Sequence, residues 1–102
     1  MYGHGVKEAG RFVVVFALCS EAEECRFGVT VTRRVGTAVT RNRARRRVRE
    51  LMRWSGAALS GGVDVVINVR RGCAEAPWKE LEEDFRRCLG RAIARESRGA
   101  QR

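Results

Sequence analysis

Proline and histidine each occur once in these 102 residues, as Pro77 and His4, and lysine only as Lys7 and Lys79. Cysteines stand at 19, 25, 73 and 88, and no two share a C-x-x-C spacing. The paired ligands of a structural zinc site are therefore missing, and no metal site is expected in the protein. No signal peptide is read at the start, so the expectation is reduced thiols, largely buried, in a cytoplasmic protein. Long hydrophobic runs are lacking too. The longest, residues 12–18 and 63–69, fall far short of the roughly 20 apolar residues that span a bilayer. A membrane is not an expected partner. Acid is also scarce, with 12 Asp+Glu against 21 Lys+Arg. The acids gather at 21–24 and 80–84, read as a loop and a solvated helix start. With one histidine and no carboxylate pocket, no catalytic residues are expected in the chain.

What remains is an ordinary apolar fraction of 44% and a formal charge of +9. The length suits one domain over residues 1–102, with 97–102 a frayed tail. The charge excludes little by itself, but it is almost all arginine. Arginine's planar fork of donors matches phosphate geometry and stacks on bases. A polyanion is the expected partner.

Hydrophobic periodicity gives the order β-β-α-β-α, an α+β pattern with helices against a small sheet. Residues 1–10 are punctuated by glycine and show no period. Residues 12–19 (FVVVFALC) read as a strand buried on both faces. After a short acidic turn, residues 26–34 alternate, with Phe27, Val29 and Val31 on one face and Gly28, Thr30 and Thr32 on the other. The short connection predicts an antiparallel hairpin of these two strands. Gly36 ends the second strand, and Thr37 is the leading N-cap, with Thr40 a second candidate. A helix follows to about Trp54, with Ala44, Val48, Leu51 and Met52 on its apolar stripe. Residues 55–62 read as a loop and 63–69 as a strand buried on both sides. Pro77 fits the first turn of a last helix reaching about Arg95. Trp78, Leu81, Phe85, Cys88, Leu89 and Ala92 repeat there at helical spacing, and its charges read as a solvated face.

Seven of the 13 residues from 41 to 53 are arginine. Arg41/Arg45, Arg43/Arg47, Arg45/Arg49 and Arg49/Arg53 are i,i+4 like-charge pairs, each unfavourable by about a few tenths of a kcal/mol. Glu50 is the only acid among them. Such a helix is frustrated unless a polyanion meets it. The bland reading is a solvated face, but solvated faces normally mix both signs. The segment follows strands rather than a helix and a tight turn, so a DNA-reading helix-turn-helix does not fit.

The stretch 26–53, RFGVTVTRRVGTAVTRNRARRRVRELMR, resembles the signature region of the bacterial ribonuclease P protein family. The matching features are a strand, two basic residues (Arg33 and Arg34), a Val35-Gly36 pair, and a helix opening with Arg41-Asn42-Arg43. Arg45, Arg46 and Arg49 follow at the family's basic positions, and Arg53 extends the same face. The flanking strands and the last helix fit as well, so the resemblance covers most of the chain.

The resemblance implies a ribosomal-protein-like α+β fold with a left-handed β-α-β crossover, where the general rule predicts a right-handed one. It implies a non-catalytic subunit of ribonuclease P, whose RNA removes the 5′ leader from precursor tRNA. The partners implied are that catalytic RNA and the leader. No cofactor is implied in the protein, and Mg2+ belongs with the RNA. Tyr2, Val14, Phe16 and Thr30 match positions of the leader cleft. Period two does place Val14 and Phe16 on one face; the competing reading of Phe16 is core packing. Family members carry a further stretch before the position of Tyr2, which forms most of an N-terminal helix; its lack here implies either a start assigned too late, the favoured reading, or a chain without half of the cleft. The alternative function is a ribosomal or ribosome-associated RNA-binding protein.

Overall fold

The computed structural model describes residues 5–19, 26–55 and 63–100. Four strands and two helices follow one another as β1 (Val6–Ala9), β2 (Val13–Cys19), β3 (Arg26–Thr30), α1 (Ala38–Ser55), β4 (Val63–Val69) and α2 (Trp78–Ala100). The sheet order is β1-β2-β4-β3. β1 and β4 pair antiparallel with β2, and β3 lies parallel to β4.

The predicted hairpin is wrong. β4 lies between β2 and β3, so the strands joined by the short acidic connection do not touch as neighbours. The physical reason is burial. Val65, Ile67 and Val69 of β4 are the most apolar row available, and the sheet centre removes both of that strand's edges from water. The edge goes instead to β3, with Gly28 and Thr30. β3 also ends sooner than expected, at Thr30. A 3-10 turn, Arg33–Val35, follows and buries Val35. Gly36 then adopts φ +146°, where an L side chain is strained and a Cβ would stand 3.0 Å from Thr40 Cγ2.

β1 was not foreseen. Val6 is its only large apolar residue, which is too little for a periodicity. Tertiary contacts hold it: Arg95 of α2 pairs with Glu8 and reaches the Lys7 carbonyl. The turn into β2 is fastened from two sides. Asp84 accepts the Arg11 and Phe12 backbone N–H groups at 2.9 Å each. Arg70 donates to the Gly10 carbonyl at 2.7 Å. Asp84 is therefore buried and bonded, not part of a solvated face. A Cβ on Gly10 would meet Cys88 Sγ at 2.5 Å and the Asp84 carboxylate at 2.6 Å, so the turn needs glycine for close approach.

Neither central strand is buried on both faces, as the apolar runs had suggested. Val13, Val15, Ala17, Val65, Ile67 and Val69 are buried on one face beneath the helices. Val14, Phe16, Leu18, Val66 and Asn68 face the other way and are half-buried. The helices supply the rest of the core: Ala44, Val48, Leu51 and Met52 from α1, and Leu81, Phe85, Cys88, Leu89 and Ala92 from α2. These are the expected stripes with one exception. Trp78 is 41% exposed and sits outside the core. Pro77 stands just before α2, its carbonyl accepting the Leu81 N–H at 3.0 Å. α2 runs on to Ala100, beyond the expected Arg95. Cys73 and Cys88 are free and buried.

Candidate nucleic-acid interface

The arginine helix starts where the sequence places it. Thr37 caps α1, its Oγ1 accepting the Thr40 N–H at 3.3 Å. From there the side chains divide into three groups. Arg43, Arg46, Arg49 and Arg53 are exposed, as is Asn42. Arg41 and Arg45 are half-buried; Arg45 donates to Asn42 Oδ1 at 3.0 Å. Arg41 Nε is buried with no hydrogen-bond partner among the described residues.

Arg47 forms the third group and faces inward. Its Nη1 donates to the carbonyls of Cys73 and Ala74 at 2.6 and 2.8 Å, and its Nη2 to that of Ala76 at 2.6 Å. Its guanidinium also lies 5.5 Å from the centre of the Trp78 ring. Arg47 thus ties α1 to the turn before α2.

Glu50 offsets part of the charge. It accepts Trp54 Nε1 at 2.9 Å and pairs with Arg53 at 3.7 Å. Arg43, Arg46 and Arg49 have neither a hydrogen bond nor an ion pair among the described residues. Arg33 and Arg34 add two exposed cations in the 3-10 turn just before α1. These cations stand on the exposed side of α1 and on the turn that leads into it, while the other side of the helix is buried in the core.

The second expected surface is the open face of the sheet. Strand register places Val14 in a row with Asn68 and Thr30, and Phe16 in a row with Val66 and Gly28. The three described residues expected there, Val14, Phe16 and Thr30, therefore share one face. Tyr2 lies outside the described residues. The face is not fully covered: a Cβ on Gly28 would meet nothing within 4 Å. Lys7 pairs opposite Phe16, with its Nζ 6.0 Å from the ring centre. Sequence reading missed Lys7 because it missed β1. The two surfaces lie on different layers. The sheet separates them, and Arg33 and Arg34 stand on the connection that leads from Thr30 to α1.

A four-stranded α+β sheet with one arginine-faced helix across its covered side defines the class: a small basic protein carrying its charge on a helix. The family follows from comparison. The Ribonuclease P family model matches residues 1–93. The ribonuclease P protein component of Kocuria rhizophila is 37% identical over 91 residues, covering 89% of this chain and 80% of that protein. That of Clostridioides difficile is 29% identical over 92 residues, covering 89% and 81%. Among solved structures, the Staphylococcus aureus RNase P protein superposes with a TM-score of 0.77 at 25% identity, covering 89% of this chain and 84% of that one. The Thermotoga maritima RNase P protein gives 0.76 at 26% identity, covering 88% and 86%. The chain belongs to the ribonuclease P protein family.

Proposed function

We propose that the chain is the protein subunit of a ribonuclease P, and that its exposed α1 arginines bind the catalytic RNA of that enzyme. The observation that carries the reading is the row Arg43, Arg46 and Arg49, exposed and without partners among the described residues, in a member of this family. Each phosphate that such a row neutralises releases counterions, so binding is salt-dependent. Arg33, Arg34, Arg41, Asn42, Arg45 and Arg53 extend the contact along the same surface.

The open sheet face takes the 5′ leader of precursor tRNA. Phe16 offers a ring on which an unpaired base stacks, Lys7 a cation beside it, and Thr30 a hydroxyl. Catalysis and its Mg2+ belong to the RNA; the protein positions and screens charge. Screening predicts the test. Precursor-tRNA cleavage by a bacterial ribonuclease P RNA at low Mg2+ is measured with and without the chain. A large rate gain supports the reading. No gain, from this chain and from one extended upstream of Met1 alike, overturns it in favour of a ribosomal RNA-binding role.

A further inference from the structure

Both tryptophans of the chain are exposed, Trp54 at 71% and Trp78 at 41%. Tryptophan is costly to leave in water, and neither is needed by the core. Each is tied to a side chain of α1, Trp78 to Arg47 and Trp54 to Glu50. Trp78 lines a shallow cleft, wide open to solvent, of about 470 Å³ with Arg43, Arg46, Arg47 and Glu50. Trp54 is fastened to that same Glu50 through its indole N–H. The cleft lies on the helix layer, on the far side of the sheet from Phe16.

The walls have distinct roles. Arg47 has its donors engaged by three carbonyls and lies against the Trp78 ring, which fixes the indole in place. Arg43 and Arg46 have no such engagements among the described residues and line the same cleft. A rigid exposed aromatic beside two unengaged guanidiniums matches one ligand chemistry: a planar base joined to a phosphate.

We propose that this cleft between α1 and the start of α2 receives a single unpaired nucleotide of the bound RNA, its base stacked on Trp78 and its phosphate held by Arg43 and Arg46. The proposal rests on the reading that α1 binds ribonuclease P RNA, and adds to it a stacking site. The role of Trp78 is affinity for an unstacked base, which duplex RNA does not offer. Arg43 and Arg46 supply the charge.

The test uses the full chain and a bacterial ribonuclease P RNA transcript. Trp78→Ala should weaken binding by between about fivefold and a hundredfold. The salt slope should stay unchanged, because stacking releases no counterions. Trp78→Phe should retain most of the affinity. Arg43→Ala with Arg46→Ala should weaken binding and flatten the slope. A second readout does not require Trp78 to be removed: in Trp54→Phe, emission from Trp78 should become protected from acrylamide when RNA is added. Wild-type affinity for Trp78→Ala, or a Trp78 that remains acrylamide-accessible in the complex, overturns the stacking site while leaving RNA binding by α1 intact. Failure of the wild-type chain to bind the RNA overturns both.

Discussion

Replacing Arg47 with alanine should cost the fold far more than replacing Arg46, although the two are neighbours in one run of arginines. Arg47 donates to three carbonyls, of Cys73, Ala74 and Ala76, and those three residues are buried. Hydrogen bonds to a charged group contribute about 1.5–3 kcal/mol each, and they do not add fully. Truncation also leaves carbonyls without a partner and removes the cation beside Trp78. A loss of about 3–4 kcal/mol is expected, near the top of the range for single substitutions. Arg46 is exposed and bonds nothing among the described residues, so Arg46→Ala should fall within about 0.5 kcal/mol of the parent. Arg47→Lys should be intermediate, since one ammonium does not span both positions of the guanidinium fork. Urea unfolding followed by circular dichroism, in saturating sulfate to hold all variants folded, reads the three values. A loss below about 1 kcal/mol for Arg47→Ala would refute the clamp.

Other perturbations separate the remaining parts. Gly10→Ala forces a methyl into Cys88 Sγ and the Asp84 carboxylate; overpacking of this kind costs about 1–3 kcal/mol, readable as a lowered urea midpoint, and an unchanged midpoint would show that the turn moves freely. Burial pushes the Cys73 thiol up to about 11, from an ordinary 9.0. The folded chain then holds a proton that the unfolded chain releases above pH 9, so stability falls as pH rises from 9 to 11, by roughly 2–3 kcal/mol relative to Cys73→Ala; parallel pH profiles for the two chains would contradict this. Arg46→Ala with Arg49→Ala should weaken RNA binding and flatten the plot of log affinity against log salt by about 1.5–2, and an unchanged slope would exclude phosphate contact by that face. At low salt the chain should be partly unfolded and gain helix as phosphate or sulfate is added; circular dichroism that stays flat through the titration would rule that out.

Local patterns carried the helices. Thr37, the 3.6-residue stripe of α1 and the apolar repeat of α2 all act within one element, and sequence displays them directly. Partner choice in the sheet was not legible. Residues 12–19 and 26–34 carry the signs of adjacent strands, and only the competition of 26–34 with the more apolar 63–69 for the place beside 12–19 decides that they are kept apart. β1 has almost no signal of its own; Arg95 holds it, and Asp84 and Arg70 hold the turn that follows it, from positions more than 50 residues away in sequence. The same holds at the site. The exposed arginines could be read off a helical wheel. That Arg47 turns inward and leaves Trp78 outside the core depends on the turn before α2, whose carbonyls no periodicity announces.

The arginine helix is also less frustrated than its sequence suggests, and the relief is selective. Of the four like-charge pairs, Arg43/Arg47 is relaxed because Arg47 is bound to carbonyls on the far side of the seam. Arg49/Arg53 is eased by Glu50 beside Arg53. Arg45 is tied to Asn42, which fixes its position without reducing its charge. Arg43, Arg46 and Arg49, on the side of the helix away from the core, have no hydrogen bond or ion pair among the described residues. A solvated helix would gain by scattering acids along that face. This one carries a single acid, Glu50, which lines the same cleft as Arg43 and Arg46 and is engaged by Trp54 and Arg53. The repulsion that is left acts as a bias: any ligand that supplies phosphates along this face stabilises the folded helix as it binds, and by linkage the fold and the complex strengthen together.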